Sequence, residues 1–202
     1  MAVRPVFVAE SGGPKWVRSV DVEFKWHSGL AATQKAKSRD SLHAAARHLG
    51  LHNLLEVSSR SGHELGRQLS AFRLKVEVEG TGHITVESVF QGSKVFAGFG
   101  PCHDLYSVEP QVAKRLARER DRGDLIEFRL MGETWELVPR TAFYDWVYLQ
   151  GLSNQTTSVL GQLEEYDAFT DIEFNPEKSF NCQAHSCALA VALMRRGSSS
   201  RL

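Results

Sequence analysis

Four side chains within one short stretch of the 202-residue chain have the makings of a reaction centre: the acid Glu87, the aromatic Phe90, the amide Gln91 and the amine Lys94. Read as one helix from Thr85 to Phe96, they fall at i, i+3, i+4 and i+7 and project in one direction. Glu87 and Lys94 then stand about two turns apart. That spacing does not serve the i to i+4 pairing by which exposed ions support a helix. Thr85 is placed to cap the helix, and Glu87 in its first turn meets the positive end of the dipole. A glycine inside a helix costs about 1 kcal/mol relative to alanine, so Gly92 should repay its place through close approach, a ligand being one candidate. Taken alone, two such charges are ordinarily a solvated face.

The flanking sequence must position these groups. Val6 to Val8 and Val17 to Trp26 have the alternation of strands, joined through Ser11-Gly12-Gly13-Pro14 into an N-terminal hairpin. Helical spacing of Leu42, Ala45, Ala46 and Leu49 predicts a helix from Ser38 to Leu49 that Gly50 ends. Leu54 to Ser58 reads as strand, Arg60 to Gln68 as a polar loop, and Leu69 to Val78 as an alternating strand that turns at Gly80-Thr81-Gly82. After Gly98-Phe99-Gly100-Pro101 comes a charged helix from Pro110 to about Arg122, and then a hairpin of Leu125–Leu130 with Trp135–Val138. An aromatic helix from Thr141 to Leu152 and a short helix ending near Tyr166 follow. Phe169 to Phe174 reads as a strand, and Cys182 to Arg196 as a buried helix.

Composition sets the outer limits. A chain that is 42% hydrophobic and 24% charged is ordinary globular material, expected to form one domain over residues 1–197, with 1–37 as an extension packed on it and 198–202 as a frayed tail. Twenty-four basic residues balance twenty-four acidic ones, so no global positive field drives nucleic-acid binding and any such contact is local. The first residues lack the apolar core of a signal peptide, no apolar stretch approaches a membrane span, and three cysteines show no disulfide spacing. A cytoplasmic protein without membrane partners is expected. Cys182, His185 and Cys187 provide three candidate ligands without a fourth, so no metal is expected. No phosphate-cradling glycine loop or serine-nucleophile elbow is present.

Leu69-Ser70-Ala71-Phe72, followed by Val86-Glu87-Ser88-Val89-Phe90-Gln91-Gly92-Ser93-Lys94-Val95-Phe96 and then by Pro110-Gln111-Val112-Ala113-Lys114-Arg115-Leu116-Ala117-Arg118, resembles the NADAR superfamily. These motifs cover about Ser58 to Trp135, and weaker similarity continues to Asn175. Phe143-Tyr144-Asp145-Trp146 and Phe169-Thr170-Asp171-Ile172-Glu173-Phe174-Asn175-Pro176 are similar to a bacterial branch that includes antitoxins paired with DNA-guanine ADP-ribosyltransferase toxins. Three features depart from the family pattern: Ala71 replaces an asparagine, Ser88 replaces a histidine, and no late Asp-x-x-Trp-Gly segment follows. Asp171 or Glu173 would fill the late acidic role.

The resemblance implies a mainly helical core with few strands, and with the N-terminal hairpin read from the residues the expected fold is α+β: a single mainly helical domain with a few short strands and an N-terminal β-hairpin extension. It also implies an N-glycosidase that removes ADP-ribose from guanine in single-stranded or flipped-out DNA, without a cofactor, beside a cognate toxin. A glycosidase of a small ribosylated metabolite, of the riboflavin-pathway kind, and a noncatalytic ADP-ribose-binding antitoxin are the alternatives. Breaking the glycosidic bond requires help at an electron-poor anomeric carbon and a proton for the leaving base. A desolvated Lys94 amine can attack that carbon and form an imine, while Glu87 moves protons. Direct hydrolysis assisted by Glu87, with Lys94 holding substrate oxygens, stays open. Ser70, Phe72, Phe90, Gln91, Tyr144, Asp145, Trp146, Asp171, Glu173 and Asn175 are the candidate substrate contacts, with Tyr144 and Trp146 suited to stacking on a base. Lys114, Arg115 and Arg118 can gather on one helical face toward phosphates, though a plain charged surface explains them as well.

Overall fold

Period-two patterning shows in residues 17–24, where buried Val22 and Phe24 alternate with exposed Asp21 and Glu23 as a half-buried strand requires. β1 (Ala2–Ala9) and β2 (Val17–Phe24) pair antiparallel, with Val6 opposite Val20. The computed structural model describes residues 1–29, 31–120 and 123–199. They form two compact units, Met1–Ser70 with Gln155–Leu202 and Ala71–Asn154.

In the first unit, β1 is flanked on its other side by β9 (Ala168–Thr170), which runs parallel to β3 (Leu54–Glu56), so the strand order is β2-β1-β9-β3. The hairpin is therefore half of this sheet. α1 (Ala32–His48) buries Leu42 and Ala46 against Val6, Val22, Phe24, Leu54, Ala168 and Ile172. It begins before the predicted Ser38, because its first turns are polar and carry no apolar period for the sequence to show. Ser38 is buried there and exchanges hydrogen bonds with the His27 backbone. The expected loop from Arg60 to Gln68 contains α2 (Glu64–Gln68), too short for a readable pattern. Within α2, a side chain at Gly66 would overlap the Glu56 carbonyl, so only glycine permits this approach.

α6 (Thr157–Glu164) and α7 (Gln183–Ser199) complete the unit. Ala184, Cys187, Ala188, Val191 and Ala192 bury α7 as its apolar composition required. α7 takes in Ser198 and Ser199, which the sequence placed in a frayed tail, and residues 200–202 lie outside the described residues. The predicted strand from Phe169 to Phe174 stops at Thr170, and Asp171 to Phe174 is a turn closed by a 3.1 Å bond from the Phe174 amide to the Asp171 carbonyl. The ladder ends because the Ile172 amide donates to the Glu56 side chain rather than to a neighbouring strand.

The second unit opens with the hairpin of β4 (Lys75–Val78) and β5 (Gly82–Thr85). α3 (Val86–Gly92) follows at once, and β6 (Lys94–Phe96) joins β7 (Leu125–Leu130) and β8 (Glu133–Trp135) in a three-stranded sheet. Met131 and Gly132, at φ 50° and 80°, make the tight turn from β7 to β8. A 3-10 helix, His103–Ser107, and α4 (Pro110–Arg120) precede that sheet hairpin, and α5 (Ala142–Ser153) follows it. Asp121 and Arg122, the expected end of α4, lie outside the described residues. Helices and small sheets together make the fold α+β, mainly helical, with the N-terminal β1–β2 hairpin. No helix among the described residues is long and apolar enough to cross a membrane.

Candidate active site

The helix that carries Glu87 is buried along its whole length, from Val86 to Gly92. Thr85 caps it, with its hydroxyl oxygen accepting from the Ser88 amide at 3.3 Å, and so places Glu87 in the first turn. Ser88 also takes a hydrogen bond from the Thr85 hydroxyl at 3.0 Å. Glu87 is 5% exposed, and its Oε1 accepts from Gln91 Nε2 at 2.9 Å. Lys114 Nζ on α4 stands 3.5 Å from the same oxygen and 5.2 Å from the centre of the Phe72 ring. An acid, an amide, an amine and an aromatic ring therefore meet, and the amine is Lys114.

Lys94 does not continue the helix. Ser93 ends α3 by donating its amide to the Val89 carbonyl, and its own carbonyl then accepts from Arg129 at 2.8 Å. Lys94 enters β6 opposite Phe128, so the i to i+7 relation to Glu87 is lost. The extended stretch Lys94-Val95-Phe96 has more to gain from pairing with β7 than from another helical turn behind Gly92. Lys94 is half-buried, its Nζ 4.9 Å from the centre of the Phe90 ring. The loop after β6 pins its backbone, since a side chain at Gly100, φ 98°, would crowd the Lys94 carbonyl.

Gly92 serves the protein's own packing. A Cβ there would overlap the Tyr106 ring, at 2.8 Å from Cδ1, and would stand 3.0 Å from the Cys102 carbonyl. The sequence expected room for a ligand, and the 3-10 helix fills that room instead. Tyr106 is held by a 2.9 Å hydrogen bond between its hydroxyl and Ser93 Oγ. Gly92→Ala is expected to destabilise the protein by about 1–3 kcal/mol through overpacking. Denaturant unfolding that shows parent stability would mean that the Tyr106 ring gives way freely.

Phe90 is a core ring. It lies 5.4 Å from Phe128, 6.4 Å from Phe143 and 5.1 Å from Tyr144, the last edge-on. Tyr144 and Asp145 are 5% and 7% exposed on α5, and half-buried Trp146 packs 5.0 Å from Trp135. Trp135 links the β8 end of the sheet to the α5 aromatics. Phe72 is half-buried under Lys114. Arg115 pairs with Glu119 at 3.8 Å and Arg118 is exposed, while Lys114, the third of these candidate cations, meets Glu87.

The remaining candidates belong to the first unit. Ser70 is fully buried. The expected alternation of Asp171, Glu173 and Asn175 along one side of a strand is replaced by the turn, which separates their surroundings. Asp171 is buried, accepting from the Glu173 amide and from Gln183 Nε2, each at 2.9 Å. Glu173 is exposed between Lys35 at 3.3 Å and Arg60 at 3.6 Å. Asn175 takes the Glu177 amide on its side-chain oxygen at 3.0 Å, an ordinary turn role.

Burial and the nearby charge of Glu56 push Asp171 up to about 7. Glu56 was not read from the sequence as part of any site. The Cys182 thiol is pushed up by burial, and His185 rests edge-on against Phe7 at 5.4 Å. Among the described residues, no three His, Cys, Asp or Glu side chains are grouped to hold a metal ion.

No curated protein matches the chain at a significant level. A protein-family model described as the DarT1-associated NADAR antitoxin matches residues 2–201 and runs through both units.

Proposed function

Since the chain belongs to the DarT1-associated NADAR antitoxin family, we propose that it acts as an antitoxin by hydrolysing the N-glycosidic bond between ADP-ribose and guanine in DNA. The observation that carries this reading is the buried Glu87 carboxylate, held by Gln91 and approached by Lys114, in the same unit as a half-buried Lys94. A buried acid with a cation and an amide at its oxygen is equipped to move a proton at a sugar. Lys94, with its backbone pinned by β7 and Gly100, is the nucleophile.

Once deprotonated, its amine forms a C–N bond to the anomeric carbon as the C–O bond of the sugar ring breaks, a proton passing from the nitrogen to the ring oxygen, and the bond to guanine then breaks to leave the imine. Guanine leaves with the proton it needs, delivered through Glu87. Water adds to the imine and releases ADP-ribose, restoring the amine. Phe72, Gln91, Tyr144, Asp145 and Trp146 are the proposed substrate contacts of the second unit; for the first unit the resemblance proposes Ser70, Asp171, Glu173 and Asn175. The partners are single-stranded or flipped-out DNA carrying ADP-ribosyl guanine and the cognate toxin that writes the mark.

The wild-type protein, incubated with an oligonucleotide bearing ADP-ribosyl guanine, is expected to release free ADP-ribose and leave unmodified guanine, as mass spectrometry reads. The balance of twenty-four basic and twenty-four acidic residues predicts a shallow dependence of binding on salt. An oligonucleotide that stays modified at stoichiometric protein, while the toxin itself is silenced, would replace the enzyme reading with inhibition by contact.

A further inference from the structure

Three hydrogen bonds converge on Glu56, a carboxylate with 0% exposure at the end of β3. Ser58 Oγ donates at 2.6 Å and the Ile172 amide at 2.8 Å to Oε1, and Thr170 Oγ1 donates at 2.7 Å to Oε2. The protons can be assigned. Ser58 Oγ accepts from the Arg60 amide at 3.1 Å, so its own proton goes to Glu56. Thr170 Oγ1 lies 2.8 Å from His43 Nε2. Burial, then Arg47 and Arg39, hold His43 down at about 4, so the ring is neutral near pH 7. With the Thr170 proton committed to Glu56, His43 must carry its proton on Nε2, and the chain runs from His43 through Thr170 to Glu56.

Two of the three donors are the residues on either side of Asp171. Thr170 and Ile172 are both tied to the same carboxylate, and the Asp171 side chain between them is steered to Gln183 and the Glu173 amide. We propose that Glu56 is the positioning residue for Asp171, clamping both of its chain neighbours and so fixing the direction of its carboxyl. The role of Asp171 as the late acidic residue rests on the reaction proposed above.

The charges around the pair are defined. Asp171 faces Glu56 on β3, Glu173 on its own turn and Cys182 ahead of α7. Glu56 faces Arg39 and His43 on α1, and is itself pushed up by burial. His43 also faces Asp40 and His63. Two buried carboxylates that face each other resist double ionisation. Glu56 thus orients Asp171, and its charge adds to burial in pushing the Asp171 carboxyl up.

The test is Glu56→Gln, because Glu56→Ala would leave three buried donors unpaired and is expected to fail to fold. A glutamine can accept from Ser58 and Ile172 on its oxygen and donate to Thr170, whose proton then turns to His43 in its other tautomer, so the fold survives while the clamp loses its charge-assisted bonds and loosens. Carboxyl carbon-13 NMR is expected to show the Asp171 midpoint falling from near 7, since the charge of Glu56 is lost while the burial stays. The kcat for ADP-ribose release from modified oligonucleotide should fall about tenfold with KM within about twofold, the sign of lost orientation after binding.

An Asp171 that titrates as in the parent overturns the proposal whatever the activity does. A shifted midpoint in a protein that releases ADP-ribose from no substrate supports the hold of Glu56 on Asp171 and removes the proposed reaction instead. Asp171→Asn at the parent kcat would also overturn the proposal, since a positioning residue for an idle carboxyl has no part in turnover.

Discussion

Lys94→Ala is expected to lower kcat for ADP-ribose release by at least about a thousandfold, because it removes the proposed nucleophile rather than a binding contact. The fold should survive. The Lys94 backbone is held by pairing with Phe128 and by the close approach of Gly100, neither of which needs the side chain. The side chain's contact with the Phe90 ring is worth about 0.5–1 kcal/mol where it is partly exposed. A parent-like thermal melt with lost turnover would therefore place the effect in the chemistry. Lys94→Arg sharpens the test by keeping a cation that cannot form an imine with the sugar. Parent activity in the arginine variant would reject the covalent route and leave Lys94 holding substrate oxygens. Borohydride added during turnover should fix ADP-ribose on Lys94, found by peptide mass spectrometry, and an adduct-free Lys94 would count against the imine. In cells, a Lys94→Ala protein that no longer strips DNA but still protects would mean that contact with the toxin contributes.

What could be read from the sequence was mostly what neighbours along the chain decide. Thr85 and Glu87 are a local matter of cap and dipole, and the start of α3 follows from them. The buried α7 was equally legible, since nearly every residue in it is small or apolar. The end of α3 was not, because it is decided by β7, far along the chain, which captures Ser93 and Lys94. Gly92 was misread for the same reason: the atoms that need its missing side chain belong to Tyr106 and Cys102. At Asp171 the alternation was real in the sequence and absent in space, because the Glu56 side chain takes the amide that a strand would have used. Lys114 lay within a recognised motif, yet a polar helix gives no sign of which cation turns inward until α4 is packed on α3. Each of these misses is a tertiary contact overriding a local preference.

Glu87→Gln is expected to reduce kcat by about 10²–10⁴-fold while leaving the protein folded. The amide has nearly the shape of the carboxylate, and its oxygen can still accept from Gln91 Nε2. What it gives up structurally is the attraction to Lys114, whose side chain is 47% exposed, and such pairs are worth about 0–1 kcal/mol. Unfolding should barely move. Catalysis should move far more, since an amide can neither take nor return the proton that the sugar and the leaving base exchange. Lys114→Met isolates the partner: if the cation acts by holding Glu87, its effect should largely vanish in the Glu87→Gln background, and the double-mutant cycle should show strong coupling. Additive effects would instead make Lys114 an independent substrate contact. Parent kcat in Glu87→Gln would reduce the acid to a buried structural partner of Gln91 and Lys114, and proton transfer would have to be sought elsewhere, with Asp171 the next group to test by the same exchange of carboxylate for amide.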